Sequence, residues 1–502
     1  MPERANGCDK VVGAMTDLPT LAARTVMASF QGESLPDWAR RRLAEGLGGI
    51  CLFGENVTSR DGVRRLCSAI HEAASGAIVS LDEEGGDVTR LYYRVGSPHA
   101  GHAALGAVDD PTLTRAVAED IGGELRNVGV DLDLAPVADV NSNPLNPVIG
   151  VRSFGAEPDL VGRHVAAFVD GLQSMGVGAC LKHFPGHGDT MADSHVALPV
   201  SDAPVEVLRR RELAPFRSGV AAGAVAVMTT HVVVRALDPG RPATFSAAAT
   251  ALLRAPEVEG GLGFEGLLVS DALDMQGASG DLGVPAAAVR ALAAGVDLLC
   301  LGPAFTDDQV QAVVDAVVAA VRTDELPEER LREAAGRVSA ASRRLQWLRS
   351  SAREQGLVDQ RASVAAAGAA ISVEGRLGPL DGAQVVRLVS GANVAAGPVP
   401  WGLPPDGRIL AGGSPIDLRE GDRLPGLDPS RPVVALVRGG HRYPWVVAAL
   451  TALARRRPDL VVVELGWPGP DRLPGRTMVH TYGASGVSAQ ALDDRLAGAL
   501  RG

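Results

Sequence analysis

The sequence predicts an α/β protein built from an N-terminal TIM-type (β/α)8 barrel, followed by a smaller C-terminal α/β sandwich domain. Two observations predict this architecture. Short apolar runs alternate with longer helical patterns through the first 345 residues, and the alternation restarts after a long charged helical stretch over residues 305–350. A chain of 502 residues is also too long for one average domain.

Seven short apolar runs in the first part have the length and composition of buried parallel strands. They cover residues 48–54, 77–82, 130–136, 178–183, 224–231, 266–271 and 297–302. Helical patterns separate them, for example over residues 61–74, 157–176 and 204–223. Seven or eight such units in this length fit a closed barrel better than an open sheet.

The same reasoning predicts a second, smaller sheet near the C-terminus. The candidate strands are residues 385–390, 433–438, 460–466 and 477–483, and the candidate helices are residues 445–457 and 488–500. The Gly/Pro-rich segment 391–430 is predicted to be loop. We therefore expect a barrel over residues 1–345, a helical linker over 346–360 and a C-terminal domain over 361–502.

Composition excludes several functional classes. A net charge of −11 provides no basic footprint, which argues against nucleic acid as a partner. Hydrophobic residues make up 46% of the chain, which excludes global disorder.

We find no apolar run of 18 residues and no signal-peptide core, so we expect no membrane partner. The five scattered cysteines predict buried thiols in a reducing compartment, and therefore a cytoplasmic protein.

Polar side chains close four of the predicted barrel strands. Asp82 ends one apolar run, the pair Lys182-His183 ends another, and His231 and Asp271 end two more. Active sites of (β/α)8 barrels are built at the carboxyl ends of the strands. The sequence therefore predicts that these side chains meet at one site.

The stretch ACLKHFPGHGDTMADSHVALP, residues 179–199, concentrates imidazole and carboxylate groups. Its candidate metal ligands are His183, His187, Asp189, Asp193 and His195. Two histidines four residues apart bind zinc readily when they share one face of a helix. Pro185 and Gly186 lie between His183 and His187 and disfavour that helix, so we predict no metal site.

Proton transfer suits the same stretch better. Asp193 and His195 are two residues apart, and in an extended segment such side chains point the same way. A nearby carboxylate raises the pKa of a histidine and makes it a usable general acid near pH 7. Asp271 could then bind a metal, accept hydrogen bonds from hydroxyl groups or act as a nucleophile, and spacing alone leaves these three roles open.

These residues lie in segments that resemble glycoside hydrolase family 3, in its β-N-acetylglucosaminidase branch. The segments LDEEGGDVTR (81–90), NPVIGVRSFG (146–155), KHFPGHGDTMADSH (182–195) and FEGLLVSDALDMQG (264–277) follow in the family's order. The segment TYGASGVSAQAL (481–492) is similar to the end of the family's second domain, so the resemblance spans nearly the whole chain.

The resemblance implies a retaining exo-β-N-acetylglucosaminidase that needs no cofactor. Asp271 would be the nucleophile that forms a covalent glycosyl–enzyme, and His195, oriented by Asp193, would be the general acid/base. The implied substrates are small carbohydrates: cell-wall-derived fragments or chitooligosaccharides. The implied ligands of the terminal sugar are Asp82, Arg90, Arg152, Lys182 and His183, with His231 on the next strand.

Several alternatives stay open at this point. A neutral His195 would not repel phosphate, so a phosphorylase acting on the same glycosides is one alternative. A β-glucosidase, a metal-dependent hydrolase and a non-catalytic sugar-binding protein of the same fold are others, and the substrate's acetamido oxygen could replace Asp271 as nucleophile. Asp87 stands where the family more often has arginine, and we expect it to affect recognition beyond the first sugar.

Overall fold

The computed structural model describes residues 17–191, 198–280, 282–353, 359–391, 393 and 395–498. The strands of the first part are β1 Val26–Ala28, β2 Gly49–Cys51, β3 Ile78–Leu81, β4 Glu83–Gly85, β5 Val88–Thr89, β6 Leu132–Asp133, β7 Gly178–Phe184, β8 Val200–Ser201, β9 Ala226–Thr229, β10 Val233–Val234, β11 Leu267–Val269 and β12 Leu299–Cys300. Its helices are α1 Leu18–Arg24, α2 Asp37–Ala44, α3 Arg60–Ala73, α4 His102–Val108, α5 Pro111–Val128, α6 Pro158–Ser174, α7 Val205–Val207, α8 Leu213–Ala221, α9 Ala247–Arg254, α10 Val284–Ala294, α11 Asp307–Arg322 and α12 Glu328–Ser351. A π-helical segment, Leu208–Glu212, joins α7 to α8.

Eight of these strands form the predicted barrel. Their order is β11-β9-β7-β6-β3-β2-β1-β12, and each neighbouring pair is parallel. A parallel bridge between Val269 and Leu298 brings the two ends of the sheet together, so the barrel is nearly closed. All seven predicted strands are present, and the (β/α)8 prediction is confirmed. Among the eight barrel strands, the one not predicted is β1. Its three residues begin one residue after the apolar helix α1 and show no periodicity of their own.

Helix α12 closes the barrel at the amino ends of its strands. Leu345 and Leu348 belong to the same buried cluster as Met27 and Leu132 from the barrel strands. A Cβ on Gly178, the first residue of β7, would lie 2.3 Å from Leu345 Cδ2, so a larger residue there would require the Leu345 side chain to move. The base is therefore filled with apolar side chains, and the carboxyl ends of the strands remain for a site.

The C-terminal domain is a six-stranded sheet with helices on both faces. Its strands are β13 Ser372–Glu374, β14 Gln384–Leu388, β15 Ile416–Leu418, β16 Val433–Val437, β17 Val461–Glu464 and β18 Thr477–His480. Its helices are α13 Arg361–Ala370, α14 Pro444–Arg456 and α15 Gly486–Gly498. The strand order is β13-β18-β17-β16-β14-β15, with β13 the antiparallel edge strand. Apolar side chains of α14 pack on one face and those of α15 on the other, as the sandwich prediction requires.

Two predictions of local structure need correction. The segment 391–430 is not all loop, because β15 within it pairs in parallel with β14. The helical stretch 305–350 is two helices, since the turn after α11 and Pro327 separate α11 from α12. The predicted division into residues 1–345, 346–360 and 361–502 stays a prediction; α12, which ends at Ser351, spans the first of these bounds. Among the described residues, no helix is long and apolar enough to cross a membrane.

Candidate active site

A cavity of about 600 Å³ opens at the carboxyl ends of the barrel strands. Its buried lining comes from strand ends and the segments that follow them, and includes Leu134, Lys182, His183, Met228 and Cys300. Its lining also includes Ala395 and Gly397 from the second domain. Most of the predicted site residues therefore meet around one cavity.

Lys182 is the centre of the charged part of this cavity. Its ammonium lies 2.6 Å from Asp82 Oδ1 and 2.6 Å from Glu84 Oε1, and its side chain is only 2% exposed. Asp82 and Glu84 are two residues apart on an extended segment, which places both carboxylates on the same side. The pairing register between β7 and β9 shifts between Leu181 and Phe184, and Lys182 and His183 both line the cavity.

Arg152 extends this cluster on one side. It donates two hydrogen bonds to Glu84, from Nε at 3.0 Å and from Nη2 at 2.8 Å, a bidentate pair that is almost fully buried. Arg152 Nη2 also lies 3.3 Å from His183 Nε2. The other ring nitrogen of His183 lies 2.7 Å from Asp139 Oδ2, so the imidazole is held between Asp139 and Arg152.

Arg90 extends the cluster on the other side. Its Nη2 donates to Asp82 Oδ2 and to the Ala395 carbonyl, each at 3.1 Å. The buried Arg90 Nε has no hydrogen-bond partner among the described residues. Arg90 lines the cavity, where a guanidinium group is suited to bind a hydroxyl group of a ligand.

The charges of this cluster are fixed over a wide pH range. Burial alone would raise the pKa of Asp82, but Lys182 and Arg90 outweigh burial and hold this pKa below its usual value. Burial alone would also raise the pKa of Glu84, but Arg152 and Lys182 hold it below its usual value. Burial alone would lower the pKa of Lys182, but the two carboxylates raise it. Burial lowers the pKa of His187, which also lines the cavity, to about 4, so that ring is neutral at pH 7.

Asp271 stands on another wall of the cavity. It follows β11 by two residues, is half-buried, and lines the same space as Asp82 and Lys182. The Ala272 N–H donates to Asp271 Oδ1 at 2.8 Å. Behind it, His231 is fully buried, with Nε2 3.0 Å from the Ala272 carbonyl and Nδ1 2.9 Å from Thr244 Oγ1.

The structure brings together most of the residues predicted from sequence. Asp82, Arg90, Arg152, Lys182, His183 and Asp271 all line the cavity. His231 does not line the cavity among the described residues; its Nε2 lies 3.0 Å from the Ala272 carbonyl, in the turn that follows Asp271. Asp193 and His195 lie outside the described residues. Within the described ranges, no group of three or more His, Cys, Asp or Glu side chains is arranged to hold a metal ion.

Two important residues were not identified from the sequence. Glu84 could have been found, because its two-residue spacing from Asp82 predicts a shared face. Asp139 had no such signal: it precedes Val140 in an irregular segment, and only the fold brings it to His183 and to the His187 N–H, 2.7 Å away. Burial alone would raise the pKa of Asp139, but His183 outweighs it, so this carboxyl titrates below its usual range.

We predict that Glu84→Gln lowers the free energy of unfolding by about 3–5 kcal/mol at pH 7, because it leaves two buried cations undercompensated. The folded-state pKa of Glu84 is depressed, so its stabilisation is present above the unfolded pKa of about 4.3 and is lost as pH falls through the folded value. The difference from wild type should stay constant from about pH 5 to 8 and narrow only below about pH 4. Denaturant unfolding at a series of pH values measures it.

Glu328→Gln is the matched control, since Glu328 pairs with Arg332 on the exposed surface of α12, where both side chains are about half exposed. Its effect should stay below about 0.5 kcal/mol. Equal losses in the two variants would contradict the account of Glu84.

Comparison with known proteins identifies the family. The family model described as the glycosyl hydrolase family 3 N terminal domain matches residues 38–341. The β-hexosaminidase A of Pseudoalteromonas piscicida is 33% identical over 325 residues, which cover 60% of this chain and only 54% of that protein. The β-hexosaminidase of Stenotrophomonas maltophilia (strain K279a) is 37% identical over 286 residues, covering 55% of this chain and 82% of the relative.

A solved structure extends the likeness to both domains. The family 3 β-N-acetylglucosaminidase from Paenibacillus sp. strain FPU-7 superposes with a TM-score of 0.84 at 32% identity, covering 97% of each chain. The matched barrel and the cavity at its carboxyl end lead to one conclusion: this chain is a member of glycosyl hydrolase family 3.

Proposed function

We propose that this protein is a retaining exo-β-N-acetylglucosaminidase. The observation that carries the proposal is the placement of Asp271 on the wall of a cavity that Asp82, Lys182 and Arg152 of the ion cluster also line. A cavity of about 600 Å³ with a buried, charged end suits a terminal sugar whose linkage points to the mouth. The name of the similar solved structure, a β-N-acetylglucosaminidase, supports N-acetylglucosamine as that sugar.

The binding part of the site acts through groups that are already ordered. Asp82 accepts hydrogen bonds from sugar hydroxyls, while Arg90 and His183, which also line the cavity, are further contacts for the ligand. Because these groups hold one another, they need little reorganisation when the sugar binds. Those hydrogen bonds to Asp82 that tighten as the sugar ring becomes oxocarbenium-like then lower the barrier.

The chemical steps divide between Asp271 and the segment 192–197. An oxygen of Asp271 attacks the anomeric carbon and forms an ester with it, the glycosidic C–O bond breaks, and the leaving oxygen takes a proton from His195. Neutral His195 then takes a proton from water, the water oxygen attacks the anomeric carbon, and Asp271 leaves as carboxylate. Two displacements restore the original β configuration. The roles of His195 and Asp193 rest on the family resemblance.

We further propose cell-wall-derived fragments or chitooligosaccharides as natural substrates, and the cytoplasm as the place of reaction. The four described cysteines are buried and free, which is compatible with a reducing compartment. The fully buried His231 acts here as a positioning residue for the Asp271–Ala272 turn.

The test of the proposed function is release of 4-nitrophenol from its β-N-acetylglucosaminide, measured with a chelator present, without phosphate and with phosphate added. Hydrolysis in phosphate-free buffer with chelator is the expected result. Formation of N-acetylglucosamine 1-phosphate as the main product would instead make the protein a phosphorylase. No release in either buffer would contradict the proposal and favour a sugar-binding protein.

We predict that Asp271→Asn lowers kcat by at least about 10⁴-fold, because the amide is a far weaker nucleophile than the carboxylate. The wild-type enzyme should accumulate a covalent adduct on Asp271 with a 5-fluoro N-acetylglucosaminyl fluoride, detected by mass spectrometry of peptides. Full activity of the variant, or an adduct on another residue, would show that Asp271 is not the nucleophile. The absence of any adduct, with activity retained, would favour attack by the acetamido group.

We predict that the effect of His195→Ala depends on the leaving group. Loss of the general acid should cost about 10²–10⁴-fold in kcat/KM with a sugar aglycone, which needs protonation. A dinitrophenyl glycoside leaves without protonation, so its rate of glycosyl–enzyme formation should fall about tenfold or less. Equal losses of that step with both substrates, measured in single turnovers, would argue against the acid role.

A further inference from the structure

Arg90 is carried by a short hairpin, formed by β4 and β5, whose tip is Gly86-Asp87. Gly85 and Gly86 have φ values of 70° and 61°, and a Cβ on Gly86 would lie 2.6 Å from the Gly101 Cα. The Gly86 N–H also donates to the His99 carbonyl at 3.0 Å. The tip therefore sits firmly against residues 99–101, with little freedom to adjust by itself.

Asp87 at this tip faces the second domain. Its Oδ1 accepts a hydrogen bond from the Ala484 N–H at 2.6 Å. It lines a small cleft between the two domains, together with Arg438 and Trp467, and is not among the described residues that line the large cavity. Burial raises the pKa of Asp87, and the charge of Arg438 partly opposes that shift.

The other end of the hairpin also contacts the second domain. Arg90 Nη2 donates to the Ala395 carbonyl at 3.1 Å, in addition to Asp82. The Arg90 N–H donates to Glu83 Oε2 at 3.0 Å, which fixes the backbone of the same residue within the hairpin. Val88 and Arg90 line the large cavity between these two attachments.

In place of the expected effect beyond the first sugar, we propose that Asp87 is a positioning residue through which the second domain sets the place of Arg90, and so the affinity for the terminal sugar. This inference rests on the proposed function. Arginine at residue 87 could not make the same contact, since its side chain has no acceptor for the Ala484 N–H. A carboxylate at residue 87 therefore suits an arrangement in which the second domain holds the hairpin that carries Arg90.

A double-mutant cycle on the full chain tests the proposal, with 4-nitrophenyl β-N-acetylglucosaminide as substrate. Asp87→Ala should raise KM about 10-fold with kcat within about 2-fold, because Arg90 binds the sugar in ground and transition states alike. In the Arg90→Ala background, Asp87→Ala should add less than about 2-fold. If each substitution raised KM by an independent factor and the factors multiplied in the double variant, the proposal would be overturned. An unchanged KM for Asp87→Ala would overturn it as well.

Two further variants separate positioning from stability. Asp87→Asn keeps an acceptor oxygen for Ala484 and should stay within about 3-fold of the wild-type KM. Asp493→Ala is the matched control, because Asp493 accepts the Arg408 and Ile409 N–H groups at 2.7 and 2.9 Å within the second domain. Asp493→Ala should lower Tm and leave KM unchanged. If it changed KM as much as Asp87→Ala does, the KM changes of both variants would be assigned to lost stability.

A conservative variant and a binding measurement keep the test decisive. If Asp87→Ala folds poorly, Asp87→Glu moves the acceptor by one methylene and should raise KM several-fold with Arg90 present and not in the Arg90→Ala background. Calorimetric titration with N-acetylglucosamine repeats the cycle without turnover. If the wild-type protein binds this sugar but hydrolyses no substrate, only the proposed function is refuted. If the effects of the Asp87 and Arg90 substitutions on the binding free energy simply add, only the role of Asp87 is refuted.

Discussion

The site depends on one buried ammonium group held between two carboxylates. Lys182 is almost fully enclosed, and removing its charge from water is costly unless partners compensate it. Asp82 and Glu84 do so at 2.6 Å each, and Arg152 and Arg90 then compensate the carboxylates in turn. Each charged side chain therefore holds the next one in place. These contacts connect β3, β4, β7 and the segment that carries Arg152.

This mutual fixation has a chemical consequence for the proposed reaction. Groups that stabilise developing charge are most effective when they are oriented before the reaction begins. Asp82, Lys182 and Arg152 of the ion cluster line one part of the cavity, whereas Asp271 lies two residues after β11 and accepts a hydrogen bond from the Ala272 N–H. In the proposed reaction, sugar binding and bond breaking thus fall to different parts of the barrel rim. The second domain contacts the hairpin on the proposed binding side through the Ala395 carbonyl and the Ala484 N–H.

Sequence patterns predicted the parts of this arrangement that depend on local order along the chain. The barrel, the strand ends and the meeting of Asp82, Lys182 and Asp271 follow from periodicity and from the known location of barrel active sites. Partner choice does not follow from such patterns: Asp139 reaches His183 from 44 residues away, and Asp87 reaches Ala484 from 397 residues away. The three-residue strands β1, β13 and β15 were missed because their pairing depends on neighbouring strands more than on their own residues.

The stereochemistry of the first product tests the central claim most directly. A proton NMR spectrum recorded during early turnover of an aryl β-N-acetylglucosaminide, before the sugar mutarotates, distinguishes the two anomers. The account predicts β-N-acetylglucosamine as the first product, because attack by Asp271 and then by water inverts the anomeric carbon twice. Initial formation of the α-anomer would mean a single displacement by water and would contradict the nucleophilic role of Asp271.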